Sequence, residues 1–188
     1  MTLVPDGLLG GHLLVAAPSL MDPNFHRTVI LLLDHTEEGA LGIVLNRPSL
    51  TPVGELLEAW SDLAAAPGVV HVGGPVEPTA VIALGGIAPG TLPEGWEPVI
   101  GGLRVVDLAA DAVLAAAELT SIRVFAGYAG WGPGQLEDEL AEDAWVPFPA
   151  RAEDTLTEHP DALWSRVMAR AGVDHRLLAT MPDDPAMN

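Results

Sequence analysis

The sequence predicts a single α/β or α+β domain on a mixed or antiparallel sheet of about six to eight short strands, with about three or four helices. Three observations lead there. Short apolar runs rich in Val, Ile and Leu are separated by 20 Gly and 17 Pro, which are scattered as punctuation rather than gathered into a linker. Neighbouring runs follow closely enough to pair as hairpins, which argues against a doubly wound parallel sheet. A chain of 188 residues is one domain's length, and folding at that size hides roughly 70% of the chain's surface. The domain is expected over residues 1–180, with a loose tail over 181–188 around Asp183-Asp184-Pro185.

The elements follow in order. His12–Ala17 reads as a short strand ending at Pro18. Val29–Leu33 is a continuous β-branched and Leu run, the pattern of a strand buried on both faces. Thr36–Gly39 turns the chain, and Leu41, Ile43 and Leu45 alternate with smaller or polar residues, so a hairpin with a longer turn is predicted. Thr51-Pro52 reads as an N-cap with proline at the first helical position, opening a helix to about Trp60. Val69–Val72, Val81–Leu84 and Leu103–Leu108 are further strands, and Ala109–Leu119 is an Ala-rich helix. Ile122–Ala126 returns as a strand, followed by a Gly-rich loop and a short acidic helix over Gln135–Asp143. The last helix starts at Pro160; Leu163, Trp164, Val167, Met168 and Ala171 form its apolar stripe and Gly172 its stop.

Composition excludes several functions. Hydrophobic residues make up 49% of the chain, more than a disordered chain carries. Cysteine is absent, so disulfides, thiolate zinc sites, cysteine nucleophiles and iron–sulfur clusters are excluded together. The formal net charge is −18, and all eight basic residues are Arg. Duplex DNA needs several phosphates neutralised, so direct nucleic-acid binding is not expected. Residues 137–161 alone carry a net −8, which reads first as a solvated face and second as a dock for a basic partner. The apolar start of the chain has no leading Lys or Arg and is broken by Asp6, Gly10 and Gly11. With no apolar stretch long enough to span a bilayer, a cytoplasmic protein is expected.

Three stretches carry a resemblance. The first runs from Gly11 through Asp22-Pro23-Asn24-Phe25-His26-Arg27 to Asn46-Arg47-Pro48. The second is Gly73-Gly74-Pro75-Val76, and the third runs from Gly127-Tyr128-Ala129-Gly130-Trp131 to Gln135-Leu136-Glu137-Asp138-Glu139. In this order and spacing the chain resembles the YqgE/AlgH family of bacterial proteins over nearly its whole length. The resemblance implies a compact α/β fold around a strongly curved, barrel-like sheet and assigns no activity. One member's name carries a label as a regulator of alginate gene expression. The acidic charge and the lack of a helix-turn-helix pattern with a basic second helix make such a role indirect.

The candidate binding surface is drawn from these stretches: Asp22, Phe25, His26, Asn46, Arg47, Gly74, Tyr128, Trp131, Gln135 and Glu137. Asp22 and His26 are four apart, so one helical turn pairs them as an oriented base; the simpler reading has Asp22 capping a turn and Phe25 plugging the core. Ser19 has no nucleophile elbow around it. The six His show no helical metal-ligand spacing, and no metal or cofactor is expected. Arg47 suits a bidentate clamp on a carboxylate, the protein's own before a ligand's. The Gly127–Gly134 stretch has the layout of an anion cradle, but Glu137, Asp138 and Glu139 repel a phosphate, so a neutral or cationic ligand or a peptide fits it better. Gly73-Gly74-Pro75 reads as a tight corner. The leading reading is a non-catalytic binding or accessory protein whose motif loops meet on one surface. The alternative is an enzyme with hydrolase-like acid/base chemistry from Asp22, His26 and Glu137 or Glu139.

Overall fold

A computed structural model describes residues 9–88, 90 and 96–171. The predicted Gly172 helix stop and the 181–188 tail lie outside the described residues.

Among the described residues ten strands form one strongly curled, largely antiparallel sheet, a half-barrel, in a single α/β-type domain. They are β1 (His12–Ala16), β2 (Val29–Thr36), β3 (Gly39–Val44), β4 (Pro48–Pro52), β5 (Val69–Val72), β6 (Val76–Ile87), β7 (Pro98–Ile100), β8 (Leu103–Val105), β9 (Leu119–Trp131) and β10 (Trp145–Pro149). The main path runs β10-β1-β2-β3-β9-β6-β8-β7. The long strand β9 is the hub: β6 runs antiparallel along one side, while the other side is shared by β5, which is parallel to it, and β3. β4 pairs antiparallel with β5.

The run Val29–Leu32 is buried on both faces, as its composition requires. Val29 and Leu31 join Leu13, Ile43, Phe125 and Trp164 in one core cluster, and Ile30 and Leu32 join Leu14, Val44, Leu136 and Trp145 in another. The period of two in a strand sends alternate side chains to opposite layers. Each such fully buried Leu or Ile stabilises by about 1.5–3 kcal/mol. Trp164 also donates its indole N–H to the Ala16 carbonyl at 2.8 Å, tying the last helix to β1.

The helices are shorter than the sequence suggests. Five α-helices of 4–7 residues are described: α1 (Val53–Leu56), α2 (Ala112–Ala115), α3 (Gln135–Ala141), α4 (Ala152–Thr155) and α5 (Leu163–Met168). Thr51-Pro52 does not cap a long helix; both residues belong to β4, and beyond α1 the chain tightens to a 3-10 stretch over Glu58–Leu63. The Ala-rich 109–119 segment yields one α-helical turn, capped by the Asp111 carboxylate on the Val113 and Leu114 amides. Leu119 is withdrawn from it because it is buried as the first residue of β9. The β2–β3 turn is the two-residue Glu37-Glu38, with Thr36 facing Gly39, rather than a longer loop. Most consequentially, the Gly-rich stretch after Ala126 is not a loop: β9 continues through Gly127 to Trp131. No helix among the described residues is long and apolar enough to cross a membrane.

Candidate functional site

The first motif folds as a single tight turn between β1 and β2. The Asp22 carbonyl accepts the amides of Phe25 and His26, and its carboxylate accepts the Asn24 amide at 2.8 Å. Arg27 leaves the turn with φ +52°, a left-handed conformation that costs a non-glycine residue about 1–2 kcal/mol. Asn46 and Arg47, just past β3, hold this turn in place. The Asn46 side chain donates to the Arg27 carbonyl at 2.9 Å and accepts the Val29 amide at 2.8 Å. Arg47 donates from Nη2 to the carbonyls of His26 (3.0 Å) and Pro23 (3.3 Å). The expected internal carboxylate partner is absent: among the described residues Arg47 makes no ion pair, because backbone carbonyls take that place.

The second motif is the corner between β5 and β6. The Gly73 amide donates to the Ala126 carbonyl and its carbonyl accepts the Val44 amide, each at 2.8 Å. A Cβ on Gly74 would lie 2.2 Å from the Tyr128 backbone, at φ +155°. Only glycine lets the corner pass so close to β9. The turn, the 46–48 segment and this corner enclose one groove of about 320 Å³. Pro23 and Asn24 form one wall, Val72, Gly74 and Pro75 another, with Val44, Arg47 and Pro48 between them. On its other flank Arg47 also lines a second cavity of about 570 Å³, with His26, Arg27, Asn46, Asp161 and Trp164 among its neighbours. There the Arg27 guanidinium stacks 4.8 Å above the Trp164 ring.

The third motif goes elsewhere. Trp131, Gln135 and Glu137 do not line the groove; they surround α3. Glu139 accepts the indole N–H groups of Trp131 (2.9 Å) and Trp145 (2.7 Å) and the Gln135 amide (2.9 Å). Gln135 in turn accepts the Gly132 amide. Glu137 accepts from His35 Nε2 at 2.8 Å, while His35 Nδ1 accepts the Leu9 amide at 2.9 Å. With Nδ1 acting as an acceptor, the proton sits on Nε2 and the ring is a neutral donor. Glu137 is held below the ordinary carboxylate range, first by a backbone N–H bond and then by the His35 ring. Phe25 packs edge-on against Trp145 at 5.6 Å and belongs with this group, and Tyr128 sits across from Val76 behind the Gly74 corner.

The acid/base set of the enzyme alternative is therefore not assembled. Asp22 bonds the Asn24 amide, His26 Nδ1 lies 3.2 Å from the Leu20 carbonyl, and Glu137 is taken by His35. The anion cradle also fails, because Gly127 and Gly130 lie in β9 and its helix carries Glu137 and Glu139, committed to His35, Trp131 and Trp145. Among the described residues no group of three or more His, Asp or Glu converges as a metal site.

One polar centre was missed. Arg123 on β9 is fully buried; it donates to His71 Nε2 at 2.9 Å and to the Ala66 and Thr157 carbonyls at 2.7 and 2.8 Å. Burial first, and the Arg123 charge second, push the His71 pKa down to about 4, and burial lowers Arg123 to about 10. A lone Arg inside the apolar run Ile122–Ala126 and a lone His inside Val69–Val72 were the available signals. Asp154, also buried, pairs through both oxygens with Arg170 and accepts the Arg151 amide.

This geometry has counterparts. The chain is 50% identical to a UPF0301 protein of Streptomyces coelicolor over 184 residues, covering 96% of this chain and 95% of that one. It is 41% identical to a UPF0301 protein of Mycobacterium tuberculosis over 181 residues, 95% of this chain and 90% of the relative. A crystal structure of a Corynebacterium diphtheriae protein superposes with a TM-score of 0.88 at 30% identity, over 94% of each chain. The solution structure of the AlgH protein from Pseudomonas aeruginosa gives 0.67 at 33% identity, over 97% of this chain and 98% of that one. The AlgH-like family model matches residues 13–176, which takes in the 22–27 turn, the 46–48 segment, the 73–76 corner and the 127–139 stretch. On that match, and on relatives that share almost its full length, the chain belongs to the AlgH-like family.

Proposed function

We propose that this chain is a non-catalytic binding protein that uses the groove between the 22–27 turn, the 46–48 segment and the 73–75 corner to hold a protein partner in the cytoplasm. One observation carries the reading: three sequence-distant segments, drawn from the first two motifs, spend their hydrogen bonds and a glycine on shaping a single groove, not on activating a nucleophile or base. A preorganised surface lowers the ordering cost of binding. The acidic start of α3, which favoured neutral or cationic ligands, does not line this groove. A regulatory role runs through the partner, since a chain at −18 repels DNA.

The test places a photo-crosslinking amino acid at Val72, which is half exposed on the groove wall, with exposed Val113 as control. A defined adduct at position 72, absent at 113 and lost on Arg47→Ala, supports the reading. Equal or diffuse adducts at both positions overturn it.

A further inference from the structure

We infer that the groove captures the free C-terminal carboxylate of a partner polypeptide that ends in an apolar residue. The inference rests on the binding reading above and names its ligand chemistry. Of the described residues lining the groove only Arg47 is charged and none is a carboxylate, in a chain with about three acidic residues for every basic one. A pocket that keeps out the commonest charge of its own surface, and holds one cation, is complementary to an anion.

The cation is preorganised. Its Nη2 is pinned by the carbonyls of His26 and Pro23, which fixes the guanidinium plane without neutralising its charge. Nε and Nη1 make no hydrogen bond among the described residues, so each is left to donate a single charge-assisted hydrogen bond to a carboxylate oxygen. Asn24 aside, the remaining wall is apolar and stiff, with Pro23, Pro48, Pro75 and the half-exposed Val72. A volume of about 320 Å³ is at the small end of ligand sites, suited to a terminal residue and the peptide group before it. Capture of a chain end by fixed donors beside an apolar pocket is a recurring peptide-recognition mode.

The experiment titrates the full chain, amide-labelled for NMR, with a short uncharged peptide ending in Leu, as the free acid and as the C-terminal amide. The expected result is a saturable shift below about 1 mM for the acid, confined to amides at 24, 44–47 and 72–74, with the amidated peptide weaker by about tenfold or more. Val72→Glu, at an exposed position on β5, and Arg47→Gln each abolish the acid's advantage. Val72→Glu keeps the test valid if Arg47→Gln loosens the turn. Equal binding of acid and amide, shifts outside the groove, or no saturable shift overturns the inference, as does N-acetylleucine binding as tightly as the peptide. If the inference fails while the Val72 crosslink still traps one partner, the groove remains a partner site with different chemistry. If both fail, the binding reading itself falls.

Discussion

Individual residues matter here through what they leave no room for. A Cβ at Gly74 meets the Tyr128 backbone at 2.2 Å, whereas a Cβ at Gly132 has no neighbour within 4 Å. Gly74→Ala is expected to lower stability by about 3 kcal/mol and Gly132→Ala by less than about 0.5 kcal/mol, read from urea unfolding midpoints. His71 gives a second expectation. Its folded pKa, about 4, lies below the ordinary imidazole value of 6.5, so the unfolded chain binds the extra proton between those values. The contribution is complete above pH 6.5 and is lost as pH falls towards 4, up to about 3 kcal/mol. Unfolding measured from pH 7 to 4.5 should show that slope, and His71→Gln should flatten it. An unchanged slope in the variant would assign the acid sensitivity to other groups. The buried partners of His71 could not be read from the sequence, because Arg123 lies 52 positions away and only the β5–β9 pairing brings the two together.

At the scale of elements, the misread strands share a cause. β4, β7 and β10 carry Pro48, Pro52, Pro98, Pro147 and Pro149, residues that read as breaks. An edge strand needs its ladder on one side only, so a proline is tolerated with its missing N–H turned outward. β7 and β10 end the main path of the sheet, and β4 pairs with β5 alone. Proline at each of these edges also discourages pairing between copies. Replacing Pro147 and Pro149 by Val restores two donors on β10, and the double variant should sediment as larger, concentration-dependent species than the parent. The helices failed for a related reason: periodicity locates Leu163–Met168 correctly, but at 109–119 helix propensity yields to the burial of Leu119 in β9.

For the whole molecule, a charge of −18 implies self-repulsion in the compact state. Screening shortens the reach of that repulsion from about 10 Å at 0.1 M salt to about 3 Å at 1 M. The thermal midpoint should therefore rise with added NaCl, and a fall would show that ion pairs such as Arg170–Asp154 outweigh the repulsion. The three motifs illustrate the same separation of scales. Their residues are visible along the chain, but whether they share a surface depends on closing the sheet. The first two converge on the groove, and the third supports α3 instead.

The sequence by itself determined the class of fold, the doubly buried β2, the α5 stripe, the Gly-Gly-Pro corner and the family, because these follow from local spacing, backbone permission and motif order. Tertiary structure alone decided that Asp22 and His26 do not pair, that Arg47 rests on carbonyls rather than a carboxylate, and that Arg123 is buried against His71. Each is a choice among several local hydrogen-bond partners, and the choice is made by which strands β9 brings side by side.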